Sequence, residues 1–199
     1  MTFTFSFRGN ETLELLTQYA LPDLKRHPFI RIWDAGCATG PEPYSIAMML
    51  RENMGQSLFR NVLIYATDIE GGTLSAYAPR GVYPEVELGR IPRDLFAKYF
   101  TPNGKPGYFQ VNEELRRAVH FQKHDLLSLQ PVREELGLIV CKNVLPQLVP
   151  AQRVQVIRMF HRALAKDGLL ILEQTEKLPG EMQPLFRRLT NAAQLFRKI

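Results

Sequence analysis

One stretch of this sequence, from Arg31 to Leu50, constrains the fold more than any other. It starts with an apolar run that is typical of a buried strand, passes through a turn that holds Gly36 and Gly40, and continues in a pattern that predicts a helix from about Pro43. A strand, a short glycine turn and a helix in this order are typical of α/β proteins. The rest of the chain is therefore expected to alternate strands with helices.

The remaining sequence continues this alternation before and after an irregular middle part. Strands are predicted at residues 29–33, 61–67, 136–141 and 169–172, and helices at residues 10–27, 43–53, 71–78 and 150–165. Nearly continuous apolar residues in the strands indicate burial on both faces. The pattern predicts a doubly wound α/β fold, in which helices cover both faces of a mainly parallel sheet through right-handed crossovers.

The middle of the chain has a different character. Residues 79–106 are rich in proline and glycine, which favour turns. Two short stretches with strand patterns follow, Tyr108–Val111 and Ala118–Gln122, separated by a charged segment. They are predicted to pair as an antiparallel hairpin. We expect one domain over residues 1–199, with residues 79–122 forming an inserted β-rich flap.

Composition limits the classes of function that the chain can serve. The 199 residues are 45% hydrophobic, no apolar run is long enough to cross a bilayer, and the N-terminus lacks a signal-peptide pattern, so we expect a cytoplasmic protein without membrane insertion. Cys37 and Cys141 have no cysteine or histidine at short spacing, which predicts neither a disulfide framework nor a metal site. The net charge is +5, but basic residues and aromatics do not cluster, so a nucleic-acid partner is not favoured.

The glycine turn indicates what kind of ligand the sheet holds. Open parallel sheets bind ligands at the carboxyl ends of their strands, and Gly36 and Gly40 let the backbone approach a ligand closely. The turn does not match the G-x-G-x-x-G pattern, and no Lys-Ser/Thr pair of a phosphate loop follows it. Glu42 lies between two prolines at the start of the helix, where its carboxylate repels anions. This acid favours a cationic ligand.

Asp68, at the tip of the second strand, adds to this prediction. A carboxylate in this position can accept hydrogen bonds from both hydroxyls of a ribose. Together with the glycine turn and Glu42, it indicates a nucleoside cofactor that carries positive charge, and S-adenosylmethionine is such a ligand. The alternative is that the glycines only shape the turn and that Asp68 caps the following helix.

The same stretch resembles a known protein family. The sequence of Arg31–Met48 is similar to R-I-W-S-A-G-C-S-T-G-E-E-P-Y-S-I-A-M, the usual form in the CheR chemoreceptor glutamate methyltransferases. Further similarity follows, in the order expected for the family, at Ala66–Ile69, Gly81–Tyr83, Tyr99–Phe100, Val119–Phe121 and Cys141–Leu145. The resemblance implies a Rossmann-like class I methyltransferase sheet. It also implies S-adenosylmethionine as cofactor and S-adenosylhomocysteine as product.

Roles for individual residues are implied by the same resemblance. It implies cofactor contacts for Thr4, Gly36, Cys37, Gly40, Glu42, Asp68, Ile69, Asp125, Leu126, Asn143 and Val144. Within this set, Glu42 would reach the amino-acid portion, Asp68 the ribose, and Asp125 the region of the adenine. Arg8, in an opening segment that resembles the family's T-x-F-F-R, is implied to face the reacting centre. Arg8 is therefore the predicted catalytic residue.

Departures from the family form bear more on the methyl acceptor than on the cofactor. Gln147 stands where the family usually has a tyrosine near the methyl group, and Gly137 replaces an aspartate. Because the sequence begins almost at the opening segment, the helical N-terminal domain of the family is expected to be absent.

The predicted function is methyl transfer from S-adenosylmethionine to glutamate carboxylates of a chemoreceptor-like protein. The alternative is a module that binds the cofactor or its product, has lost the transfer, and acts as a regulatory or interaction partner. A nucleic-acid methyltransferase is disfavoured, because residues 142–147 lack the N/D-P-P-Y/F pattern expected for methylation of base amino groups.

Overall fold

The computed structural model describes residues 11–69 and 78–199. Its strands are β1 Ile30–Ala35, β2 Val62–Asp68, β3 Val82–Pro84, β4 Phe100–Pro102, β5 Tyr108–Val111, β6 Val119–Lys123, β7 Leu136–Cys141, β8 Leu164–Leu172, β9 Phe186–Arg188 and β10 Leu195–Lys198. Its helices are α1 Glu11–Leu15, α2 Leu21–Leu24, α3 Pro41–Phe59, α4 Glu85–Leu88, α5 Arg93–Tyr99, α6 Glu113–Ala118 and α7 Pro150–Ala163, with a π-helical turn at Leu16–Ala20. The helix predicted at 71–78 falls, apart from its last residue, outside the described residues.

Seven strands form one sheet in the order β6-β2-β1-β7-β8-β10-β9. The first five are parallel to one another, and β10 is antiparallel to both β8 and β9. From β1 the chain first builds outward through β2 and β6, and then returns to the other side of β1 with β7. The predicted doubly wound, mainly parallel sheet is confirmed. Its switch point, where ligands bind in such sheets, lies between β1 and β7.

The two faces of the sheet are covered by separate cores. Ile32 belongs to the core beneath the N-terminal helices and α3. Its neighbour Trp33 points to the opposite core, where its ring meets Phe160 of α7 edge-to-face with centroids 5.2 Å apart. Successive side chains of β1 therefore bury against different helices, as expected for a central strand.

The helix after the glycine turn is longer than predicted. α3 begins directly after Gly40, whose left-handed conformation (φ 94°) turns the chain, and Pro41 takes the first helical position. It continues to Phe59, although Gly55 (φ 75°) interrupts the helical geometry near the end. The predicted end at Asn53 lies two residues before this glycine.

The flap is an antiparallel sheet of three strands in the order β3-β5-β4. The predicted hairpin between Tyr108–Val111 and Ala118–Gln122 is wrong. The charged segment between them forms α6, which Asn112 caps by accepting a hydrogen bond from Leu115 N–H at 3.0 Å. The chain then leaves the flap, and β6 pairs in parallel with β2 in the large sheet. Residues 119–122, predicted as part of the flap, therefore belong to the large sheet.

Two strands at the C-terminus were not predicted. β9 and β10 form an antiparallel pair, and β10 also pairs with β8, which begins at Leu164 rather than at Leu169. Charged residues in both strands, such as Arg187 and Arg197, interrupt their apolar pattern. Within residues 11–69 and 78–199, no helix combines the length and the apolar character needed to span a membrane.

Candidate functional site

The glycine turn after β1 is fastened to the end of β2. The N–H groups of Gly36 and Cys37 donate to the carbonyl oxygen of Thr67 at 2.8 and 3.0 Å. The N–H group of Ala38 donates to Asp68 Oδ2 at 2.9 Å. Two neighbouring parallel strands thus present the turn and the acid at the same edge of the sheet. This edge adjoins the switch point between β1 and β7.

Both glycines of the turn have left-handed conformations and close neighbours. Gly36 has φ 97°, and a Cβ added there would lie 2.1 Å from Val144 Cγ2. Gly40 has φ 94°, and its added Cβ would lie 2.9 Å from the Phe121 ring and from the Tyr83 hydroxyl. A side chain at either position would therefore be strained and would collide with a neighbour. Because these two residues have no Cβ atoms, the loop after β7 and the flap can pack closely against the turn.

Within the part of the chain that the structure describes, three carboxylates and one ammonium group surround the turn. Glu42, in the first turn of α3, forms an ion pair with Lys142, directly after β7, and their side chains are 23% and 18% exposed. Asp34, in β1, is buried, and Asp68 ends β2. Burial acts to lower the pKa of Lys142, but the carboxylates of Glu42 and Asp34 outweigh it and hold this pKa above its ordinary value. The Lys142 side chain is therefore charged at neutral pH.

Sequence reasoning missed Asp34 and Lys142 as members of this group. Two signals could have found them. Asp34 is an acid inside an otherwise apolar strand, next to the glycine turn. Lys142 directly precedes the predicted contact residues Asn143 and Val144. A charged residue in a buried place needs a partner, so an acid within an apolar strand and a lysine at the end of another are signals of a functional site.

The residues predicted for the adenine side adjoin Asp68. The backbone N–H of His124 donates to the carbonyl oxygen of Asp68 at 2.9 Å, which joins the loops after β6 and β2. Asp125 Oδ1 then accepts from the N–H of the residue two positions on, at 2.8 Å, and starts a short 3-10 turn at Leu126. Ile69 is 57% exposed, so it offers an apolar surface next to the acid. The acid predicted to bind the ribose and an apolar surface are thus adjacent.

The turn after β7 is held by a buried acid that sequence reasoning also missed. Asn143 has a left-handed conformation (φ 60°), and its N–H donates to Glu176 Oε1 at 3.1 Å. Gln147 Nε2 donates back to the carbonyl oxygen of Asn143 at 2.7 Å. Burial raises the pKa of Glu176 to about 7, although the hydrogen bond from Asn143 opposes this rise. Gln147, at the family's tyrosine position, thus stabilises the turn after β7 with its side chain.

The chemistry of these groups fits S-adenosylmethionine. Asp68 has the carboxylate predicted to accept hydrogen bonds from ribose hydroxyls, and Ile69 has an exposed apolar side chain beside it. Among the described residues, carboxylates outnumber cations around the turn, which suits a ligand with an ammonium and a sulfonium group. Among the described residues, no group of three or more histidine, cysteine, aspartate or glutamate side chains is placed to hold a metal ion.

Comparison with known proteins places the chain in a family. The family described as CheR methyltransferase, SAM binding domain, matches residues 2–194. The chain belongs to this family. Its cofactor is S-adenosylmethionine, as predicted.

Relatives of this CheR domain include two bacterial proteins named for chemotaxis. It is 35% identical over 185 residues to the chemotaxis protein methyltransferase of Borreliella burgdorferi, covering 89% of the chain and 65% of the relative. It is also 35% identical over 176 residues to chemotaxis protein methyltransferase 2 of Pseudomonas aeruginosa, covering 87% of the chain and 62% of the relative. The chain thus spans less than two thirds of the length of either relative.

Among solved structures, TrmN from Thermus thermophilus resembles this CheR domain with a TM-score of 0.53 at 15% identity, covering 93% of the chain and 48% of TrmN. A likeness at this identity shows the fold alone. It agrees with the Rossmann-like methyltransferase sheet, and this predicted fold class is confirmed.

Most of the predicted contact residues of the CheR domain lie at one edge of the sheet. They are Gly36, Cys37, Gly40, Glu42, Asp68, Ile69, Asp125, Leu126, Asn143 and Val144. Thr4 and Arg8 lie outside the described residues. The roles of all these residues toward the cofactor stay predictions.

Proposed function

We propose that this chain transfers the methyl group of S-adenosylmethionine to glutamate carboxylates of a chemoreceptor-like protein. The observation that carries the proposal is the placement of the glycine turn, Glu42 and Asp68 at one edge of a CheR-family sheet. The names of the relatives from Borreliella burgdorferi and Pseudomonas aeruginosa support the same substrate class. A receptor substrate places the reaction in the cytoplasm, and no nucleic acid takes part.

The reaction makes modest demands on the protein. The cofactor supplies a methyl group on a sulfonium, which is open to in-line displacement by an oxygen nucleophile. A glutamate side chain is already ionised at neutral pH, because its ordinary pKa is about 4.3. No strong general base is therefore required. The protein has to remove water from the acceptor carboxylate and align it.

Charged groups of the chain are suited to these tasks. Arg8 is proposed to hold the acceptor carboxylate by a charge-assisted hydrogen bond. Thr4 and the predicted contact residues at the sheet edge are proposed to hold the cofactor. Lys142 adds a partly buried cation to the same edge, where its pair with Glu42 fixes its position.

The flap is proposed to contact the substrate protein. β3 and β4 are the outer strands of the small sheet, and each pairs on one side with β5. Tyr83, in β3, donates a hydrogen bond to the carbonyl oxygen of Thr39 at 3.2 Å, so the flap is joined to the glycine turn. A protein bound along the flap would lie next to the cofactor.

Transfer of labelled methyl groups tests the proposed function. The chain is incubated with labelled S-adenosylmethionine and a receptor cytoplasmic fragment, and the label is then exposed to mild base. A methyl ester is lost under these conditions, so base-labile label is the expected result. A receptor fragment with glutamine at the acceptor positions is the matched control and should stay unlabelled. Base-stable label would show a different acceptor.

Two further measurements separate binding from transfer. Titration calorimetry with S-adenosylhomocysteine should show binding by the chain. Arg8→Ala should keep this affinity and lose most of the transfer, because Arg8 is proposed to hold the acceptor. Tight binding without transfer to any receptor fragment would instead identify a module that binds the cofactor without catalysis.

A further inference from the structure

Asp34 has a carboxyl oxygen that is buried without a hydrogen-bond partner among the described residues. The residue lies in β1 immediately before the glycine turn, and only 1% of its surface is exposed. The unpartnered atom is Oδ2. A buried carboxyl oxygen without a partner is unfavourable, which points to a partner that binds at this place.

The groups around Asp34 show what kind of partner is missing. The charged and titratable groups that face it from neighbouring elements are the carboxylates of Glu42 and Asp68, the ammonium of Lys142, and the thiols of Cys37 and Cys141. The single cation in this set already pairs with Glu42. Among the described residues, negative groups therefore outnumber positive ones around Asp34, which indicates a cation or a neutral donor as the missing partner.

We propose that Asp34 is a second carboxylate for the amino-acid end of the cofactor, where Oδ2 accepts a hydrogen bond from the cofactor's ammonium group. This proposal rests on S-adenosylmethionine being the cofactor. Glu42 is predicted to reach the same end, and its carboxylate pairs with Lys142 beside the turn. The ribose is predicted to bind at Asp68, one strand away. The ammonium group is then the donor left for Asp34.

A neutral partner would explain the aspartate at this position less well than a cation does. In the family form R-I-W-S, serine stands at the position of Asp34 and can donate and accept hydrogen bonds without charge. Only an ionised aspartate at this position carries a negative charge, and in a buried site that charge is favourable only with a cation.

The protonation state of Asp34 should follow its ligand. Burial raises the pKa of Asp34 well above its ordinary value, and the carboxylates of Glu42 and Asp68 raise it further against the opposing effect of Lys142. An ammonium ligand favours the ionised form of the carboxyl group. Binding of the ammonium group should therefore release the proton of those Asp34 side chains that are protonated in the free chain.

Titration calorimetry with two ligands tests this inference. S-adenosylhomocysteine carries the amino-acid end, whereas 5′-methylthioadenosine shares the adenosine and the sulfur but lacks that end. Asp34→Asn keeps the shape of the side chain and removes its charge. It should weaken binding of S-adenosylhomocysteine by about tenfold or more, the range of a hydrogen bond to a charged group, and leave 5′-methylthioadenosine unchanged. The exposed Asp94→Asn is the matched control and should change neither affinity.

The unaltered chain gives an independent measurement. Titrations with S-adenosylhomocysteine in buffers of different ionisation enthalpy should show a proton released on binding, and Asp34→Asn should abolish this release. Equal losses for both ligands, or no loss and no proton release, would overturn the role of Asp34. If the folded, unaltered chain failed to bind S-adenosylhomocysteine at all, the cofactor assignment itself would be wrong, and the proposed function with it.

Discussion

Asp68 has both a structural and a predicted binding role. Its Oδ2 atom accepts a hydrogen bond from the N–H of Ala38 at 2.9 Å and so holds the glycine turn against the end of β2. A carboxylate has about four lone-pair sites, so this bond leaves acceptor capacity for the hydroxyls of a ribose. The same side chain therefore helps to hold the turn and is predicted to bind the nucleoside.

Replacing Asp68 should weaken cofactor binding. Asp68→Ala removes the predicted hydrogen bonds to the ribose and the contact with Ala38, and we expect a loss of about 1–3 kcal/mol in the binding free energy. Asp68→Asn keeps one carbonyl acceptor and should lose less. Titration calorimetry with S-adenosylhomocysteine measures both values, and Asp94→Ala serves as the surface control. Unchanged affinity in Asp68→Ala would mean that the ribose binds elsewhere.

Glu176 should make the stability of the chain depend on pH. Burial raises its pKa to about 7 in the folded state, whereas in the unfolded state an ordinary value of about 4.3 is expected. As pH rises between these values, the unfolded state ionises first, so the free energy of unfolding should fall, by at most about 4 kcal/mol, and then level off. Below both values, this side chain should contribute no pH dependence.

Glu176→Gln isolates this effect. Glutamine keeps an oxygen that can accept the hydrogen bond from Asn143, but it does not titrate. The variant should therefore gain stability relative to the unaltered chain as pH rises from 4 to 7, as measured by urea denaturation at several pH values. Glu181→Gln, at an exposed position, should follow the unaltered chain throughout. A parallel pH profile for Glu176→Gln and the unaltered chain would contradict the prediction.

At the scale of elements, local patterns predicted strands well and their partners less well. β7 spans Leu136–Cys141, as predicted, because an unbroken apolar run indicates a strand buried on both faces. The pairing of Tyr108–Val111 was wrong because alternation shows a strand but not its neighbour, and the capping signal at Asn112 was overlooked. The pairing of Glu42 with Lys142 depends on elements that are distant in sequence. No local pattern contains such a contact.

The contact between the glycine turn and the loop after β7 can be tested at Gly36. Gly36→Ala should destabilise the chain for two reasons, because φ is 97° and the new Cβ would lie 2.1 Å from Val144 Cγ2. Gly104→Ala is a matched control, since φ is 84° but nothing lies within 4 Å of its added Cβ. We expect the control to lose about 1–2 kcal/mol and Gly36→Ala to lose about 1–3 kcal/mol more. Urea denaturation that gave equal losses would mean that the loop moves aside without cost.

At the scale of the whole molecule, the sheet joins the first helices to the last strand. β10 lies between β8 and β9, and Leu195 shares a core with Leu21 and Leu24 of α2. Arg197, in β10, donates a hydrogen bond to Asp23 Oδ2 at 2.7 Å, across 174 residues of sequence. A contact between residues so far apart in sequence links the two ends of the described chain. In the sequence it is visible only as one acidic and one basic residue.

The ion pair between Asp23 and Arg197 should contribute measurably to stability. Its side chains are 28% and 20% exposed, so water screens it less than a surface pair. A double-mutant cycle with Asp23→Asn and Arg197→Met should give a coupling energy of about 1 kcal/mol, measured by urea denaturation. The pair of Arg117 with Glu113, whose side chains are 77% and 65% exposed, is the matched control and should show coupling within experimental error. Equal coupling in the two cycles would show that partial burial and sequence separation add nothing to this contact.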